Sequence, residues 1–184
     1  MLKPESTIAI GRNLVRKELE KRGFEVFKIA KHNRVHFLVK NKTTLKEISL
    51  SIKTSKDYSQ DPKYKKSRDC FKLTSWYLIK RTNLESSKVD FLVFVLHSAE
   101  KETRDFVIIS PSELLNSLNI LKRFKGDRAF FYITTTTNGT AFDTRELIDE
   151  DLNLDLICSN NFSDENRDLT KYLNNWDQIN EDYS

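Results

Sequence analysis

Glycine and proline are scarce, at four and three residues among 184, which excludes collagen-like and linker-rich chains. Cysteine is nearly absent. Cys70 and Cys158 fit neither a CxxC pair nor any zinc-ligand spacing. Read as two free thiols in an unsecreted chain, they point to the cytoplasm. No run of about 18 apolar residues occurs, so no membrane-spanning helix and no membrane partner are expected. The first ten residues, MLKPESTIAI, lack the apolar stretch and small-residue cleavage site of a signal peptide. GxGxxG, Walker-type, GxSxG and HExxH patterns are missing, which removes the usual nucleotide, serine-hydrolase and zinc-protease readings. Of three histidines, His32 and His36 are four apart but fall on a loop and a strand, a poor arrangement for a metal. His97, at a strand end, reads as an ordinary histidine.

What the chain does have is core-forming material and an uneven charge. Twelve phenylalanines and a hydrophobic fraction of 38% can support a packed domain. The net charge of +4 conceals a split. Residues 1–142 hold 28 Lys+Arg against 15 Asp+Glu, or +13; residues 143–184 hold 3 against 12, or −9. A basic body suggests a polyanionic partner, and the acidic end is either a solvated terminus or a cover for the basic surface.

Residues 6–22 read as an amphipathic helix, with Ile8, Gly11, Val15 and Leu19 on one face, Ser6 as N-cap and Gly23 as stop. Residues 24–29, 35–40 and 45–53 alternate as strands of a meander. Residues 54–70 form a polar, basic loop. Strands follow at 71–80, 89–96 and 105–109, the second so apolar that it belongs inside a sheet. Ser110-Pro111-Ser112-Glu113 is a capping box with proline at the first helical position. Residues 129–137 and 140–143 read as a hairpin with a primed turn at Asn138-Gly139. Beyond 150 the pattern weakens, with one last helix over 168–178. The order predicts an α/β sandwich around a mixed sheet, with a domain over 1–150 and an acidic, partly helical tail over 151–184.

Several segments match a known pattern in order. They are Ile10-Gly11-Arg12 with Val15 and Glu18-Leu19; Gly23-Phe24-Glu25-Val26; Asn33 to Val39; and Ser51-Ile52-Lys53-Thr54-Ser55. Val89 to Val95 and Val107 to Leu114 continue the series. Together they resemble the PD-(D/E)XK, or restriction-endonuclease-like, nuclease superfamily over roughly residues 8–120. The resemblance implies an α/β restriction-endonuclease-like sandwich, a mixed central β-sheet flanked by helices. It also implies a prokaryotic, defence-related setting.

The departures fall on the metal site. Such nucleases hold Mg²⁺ with carboxylates from the first helix and two strands, with a lysine two positions after the last carboxylate. Here those positions carry Arg12, His36 and Ser51, and only Lys53 remains, as a vestige of the catalytic set. Magnesium requires oxygen ligands in near-octahedral geometry, which a guanidinium, an imidazole and a hydroxyl do not supply. Substitute carboxylates are poorly placed. Glu18 faces elsewhere on the helix, at ~100° per residue, and Glu47 sits about 13 Å along the strand at ~3.3 Å per residue. Asp57 and Asp61 lie in the loop, from which one or the other could swing in. No metal and no cofactor are therefore expected, with Mg²⁺ relevant only to an active nuclease.

The basic positions suggest a different use. Arg12, Lys53, Lys56, Lys63, Lys65, Lys66 and Arg68, with Tyr58 and Tyr64 interleaved, suit phosphate contacts and base stacking. Phe71, Trp76 and Tyr77 read as core or strand residues, and Phe91, Phe94, Phe130 and Phe131 as core. The expectation is a catalytically degenerate nuclease-fold protein that binds nucleic acid, DNA foremost, through a basic cleft. The alternatives are an interaction subunit of a restriction or phage-defence complex, docking through Tyr172 and Trp176 of the tail, and an active endonuclease with a non-standard site.

Overall fold

The computed structural model describes residues 6–29, 35–61, 69–147 and 151–180, with side chains from Leu154 onward in the last stretch. Helix α1 (Thr7–Lys21) starts where the Ser6 hydroxyl accepts the Ala9 N–H, and it buries Gly11, Val15 and Leu19. Gly23, at φ +84°, turns the chain into the meander β1 (Phe24–Lys28), β2 (Phe37–Asn41) and β3 (Glu47–Lys56). After β4 (Phe71–Lys80) and a short helix α2 (Arg81–Glu85) come β5 (Phe91–Ser98) and β6 (Thr103–Ile109). The capping box then opens α3 (Pro111–Ile120), as the sequence predicts, with both of its reciprocal hydrogen bonds made. The chain continues through β7 (Arg128–Thr136), β8 (Ala141–Asp143) and α4 (Asp151–Cys158) to two 3₁₀ turns, Thr170–Tyr172 and Trp176–Ile179.

The expected mixed sheet is present, in the order β1-β2-β3-β5-β6, with β3 and β5 parallel and the other pairs antiparallel. β5 is interior, and Phe91 through Leu96 are all buried. A second, antiparallel sheet, β4-β7-β8, was not foreseen. It stacks on one face of the first. Leu92, Phe94 and Leu96 of β5 join Leu73, Tyr77 and Ile79 of β4, Phe131 and Ile133 of β7, and Leu114 and Leu118 of α3 in one core. Phe94 is the hinge of this packing, edge-on to Tyr77 at 4.8 Å and to Phe131 at 5.3 Å. On the opposite face Val93, Val95, Phe106 and Ile108 pack with Val15 and Leu19 of α1. Alternation along β5 and β6 thus feeds two cores at once.

Gly11 sets the depth of α1 over β3. A Cβ there would lie 1.8 Å from Thr54 Oγ1 and within 2.7 Å of Thr54 Cβ, so only glycine lets the helix come this close.

Four expectations need correction. The cysteines are not free: Cys70 and Cys158, 88 residues apart, form a disulfide with Cα atoms 5.5 Å apart. The cytoplasmic expectation loses the thiols on which it stood. The 168–178 helix is absent; the polypeptide there makes two short 3₁₀ turns, because its side chains fill separate gaps in the two cores rather than one helical stripe. Tyr172 and Trp176 are consequently buried and are not displayed for a partner. The β7–β8 hairpin exists, but Thr136 pairs with Thr140 around three residues, and only Gly139 takes a positive φ, +81°. That is the longer, glycine-ended connection rather than a two-residue primed turn.

Candidate functional site

Between the start of α1, the second half of β3 and the middle of β4 lies a cleft of about 670 Å³. Arg12 comes from α1, His36 from the approach to β2, Lys53 and Lys56 from β3, Tyr58 from just beyond it, and Trp76 and Leu78 from β4. No carboxylate lines it among the described residues. Four of the sequence-selected positions, Arg12, His36, Lys53 and Lys56, are thus brought together.

Ser51 is not one of them. It is buried within the sheet and stays out of the cleft lining. Lys63, Lys65, Lys66 and Arg68, with Tyr64 and His32, lie outside the described residues. The proposed substitute carboxylates are engaged elsewhere. Asp57 is buried, accepts the N–H groups of Ser59 and Thr74, and pairs with Lys101 at 3.0 Å. Burial pushes its pKa up, but the hydrogen bonds from Thr74, Ser59 and Lys101 outweigh that and hold the carboxyl below its usual range. It is a structural anion, not one poised to swing into the cleft. Glu18 pairs with Arg22 at 3.0 Å, and Glu47 borders a different pocket beside Asp90.

His36 has an unexpected part. Its backbone N–H donates to Leu50 at 2.8 Å, and its ring Nδ1 accepts the Ile52 N–H at 2.7 Å. The imidazole stands in for a strand carbonyl where β2 has parted from β3. An accepting Nδ1 fixes the tautomer, so the proton sits on Nε2 and the ring's remaining function is to donate. Burial, then the positive charges of Arg12 and Lys53, lower its pKa to about 4. Near pH 7 it is a neutral donor between two cations.

A pH dependence follows. The folded His36 resists protonation until about pH 4, whereas an unfolded histidine takes a proton near 6.5. Stability from this group is intact above about pH 6.5, falls as the pH drops through that window and levels off below about 4. Discounted for the ring's partial exposure, the expected loss is about 1–2 kcal/mol. His36→Asn keeps an acceptor for the Ile52 N–H and removes the titration. Urea unfolding at pH 7 and pH 4.5 should therefore show a smaller acid loss in the variant; equal losses in both proteins would contradict this account of His36.

Arg12 Nε is buried and finds no hydrogen-bond acceptor among the described residues. A buried donor left without an acceptor is costly. A metal fits poorly here. Among the described residues no group of three or more His, Cys, Asp or Glu side chains is placed to hold one. The cleft's donors are also of the wrong charge for Mg²⁺.

One residue departs from the sequence reading: Phe130, expected in the core, is 41% exposed, beside Trp76, which was expected as a core or strand residue and is a strand residue 39% exposed. The signal was present in β4, where Trp76, Leu78 and Lys80 share one parity and the lysine marks it as the outer face.

No family model matches the chain, and no curated protein matches it. A solved structure of a nuclease from a fusselovirus is similar to it at 15% identity, over 80% of this chain and 92% of that one, with a TM-score of 0.41. A likeness this distant bears no functional weight.

Proposed function

We propose that this chain is a nuclease-fold protein of PD-(D/E)XK type whose metal site has been replaced by an anion site, and that it binds nucleic acid, DNA in the first instance, without cutting it. One observation carries the reading: a cleft presenting Arg12, Lys53, Lys56 and a neutral His36 fixed as a donor, with no carboxylate among its described lining residues. Guanidinium, ammonium and imidazole N–H groups are what a phosphodiester accepts from. They repel a divalent cation and attract the backbone that such a cation would have served. Lys63, Lys65, Lys66 and Arg68, further along the sequence, are assigned the same phosphate-binding role in this proposal.

The test is oligonucleotide binding by fluorescence anisotropy between 50 and 200 mM salt. Three phosphate-neutralising cations give a slope near −2.7 in log–log form, or about a 40-fold loss over that range, and more if the loop cations take part. Lys53→Ala should weaken binding to all sequences alike and reduce the slope by about one. Binding that ignores salt, or no binding at the low-salt end, removes the proposal. So does plasmid cleavage with Mg²⁺ or Mn²⁺ that disappears in Lys53→Ala, since that would make the site catalytic.

A further inference from the structure

Among the described residues, the outer face of the second sheet is covered at one end and exposed at the other. At the covered end α4 closes over it, with Leu154 and Ile157 packed on Phe71 and Phe142. At the other end the rungs Trp76–Tyr132 and Leu78–Phe130 place aromatic and aliphatic side chains outward. Leu78 there is 41% exposed, like its neighbours Trp76 and Phe130. The rings form a continuous row. Tyr58 lies 6.2 Å from Trp76, and Trp76 lies 5.9 Å from Phe130. A cation stands over each end, Lys56 at 5.1 Å from the Tyr58 ring and Arg145 at 5.6 Å from the Phe130 ring. The row begins inside the basic cleft, because Tyr58, Trp76 and Leu78 also line it.

From this continuity we infer that the row of Tyr58, Trp76 and Phe130 is a base-stacking platform extending the cleft, and that the preferred ligand is a single-stranded or unpaired stretch of nucleic acid. The inference rests on the cleft reading above and narrows it to a substrate class. Stacking needs an exposed base face. In a duplex each base face is taken by its neighbours, so a row of rings gains little from it. An unpaired strand held by its phosphates at Arg12, Lys53 and Lys56 can lay successive bases on the rings. Lys56, exposed at the cleft end, suits this occupant and not a bare apolar partner, since an ammonium beside a ring can meet the phosphate next to a stacked base; Arg145 is already shared between Glu146 and the Phe130 carbonyl. The nearby carboxylates do not oppose it. Glu146 is committed to Arg123 and Arg145, and Asp127 to Thr82.

The two tryptophans make the test direct, because Trp176 is 2% exposed and Trp76 alone of the pair meets solvent. The full-length protein is titrated with an unstructured DNA 12-mer, the same RNA 12-mer and a DNA hairpin duplex, by anisotropy and by intrinsic tryptophan emission. The expected result is binding of at least one single strand on the order of tenfold tighter than the duplex, with quenching that is lost in Trp76→Leu. Phe130→Ala, outside the cleft lining, should reduce single-strand affinity several-fold and leave salt-dependent duplex binding within about twofold, and adding Trp76→Ala should carry the single-strand loss to about tenfold or more. Both substitutions are on exposed positions, and a native far-ultraviolet spectrum and melt confirm that the fold is kept. The DNA and RNA arms decide which backbone is taken. Salt-dependent binding with no single-strand preference, with single-strand affinity untouched by the double substitution, or with no quenching of the parent protein's emission by oligonucleotide, overturns the platform and leaves the cleft standing. Concentration-dependent self-association, abolished by the double substitution and without quenching by oligonucleotide, assigns the face to protein contact and also overturns it. No binding of any oligonucleotide at low salt overturns cleft and platform together.

Discussion

Trp176→Ala is expected to lower folding stability by about 3–5 kcal/mol, a large share of the total for a domain of this size. The ring is 2% exposed, sits edge-on to Phe106 at 5.0 Å, and has the Arg22 guanidinium 5.9 Å from its centre. It shares a core with Val15 and Leu19 of α1 and with Val93 and Ile108 of the central sheet. The flanking backbone is tied in as well. The Asn174 N–H donates to the Phe106 carbonyl at 2.6 Å, and the Asn174 side-chain oxygen accepts the Phe106 N–H at 2.9 Å. Removing the indole leaves a cavity that α1 and β6 cannot close without moving. The melting temperature should fall by roughly 10 °C or more, at ~2–4 °C per kcal/mol. A melt within 2 °C or so of the parent protein would show that the acidic C-terminal stretch is not part of the core, and would revive a docking role for Trp176.

Breaking the Cys70–Cys158 bond is expected to have an effect of similar size. The bond spans 88 residues, and closing a loop that long restricts the unfolded chain by about 4–5 kcal/mol in the chain-entropy account. It also pins the start of β4 to the end of α4, beside the small core of Phe71, Phe142, Leu154 and Ile157. Thermal melts with and without dithiothreitol, run on the parent protein and on Cys70→Ser with Cys158→Ser, separate this effect from non-specific ones. Reductant should lower the parent's melting temperature to about that of the double variant and leave the double variant unmoved. Two titratable thiols in the denatured, unreduced protein would contradict the cross-link outright.

The candidate site was legible in the sequence to the extent that it followed from substitutions at aligned positions. Arg12 and His36 were selected because an expected carboxylate is missing there and Lys53 because it alone of the pattern remains, and the fold brings all three into one cleft. Ser51 was selected on the same ground and is buried, because strand register and not sequence spacing decides which member of a strand reaches a cavity. The role of His36 was hidden for a related reason. Its ring replaces a backbone acceptor for Ile52, a task visible only once the parting of β2 from β3 is known. Phe130 was misread as a core residue because aromatic strand residues usually are; a sheet face left exposed among the described residues is a property of the assembly.

By itself the sequence determined the local structure: the first helix with its serine cap and close-packing Gly11, the meander, the interior apolar strand, and the capping box ahead of α3. It also determined the chemistry of the cleft, since arginine and lysine side chains with no carboxylate among the described lining residues make it positive. Each of these depends on interactions spanning a few residues or on residue type alone. The tertiary structure decided that β4 leaves the central sheet for a second one, that two cysteines 88 residues apart meet, and that Trp176 closes a core begun by Val15. Those outcomes depend on which distant segments bury surface against each other, a choice that short-range periodicity does not encode.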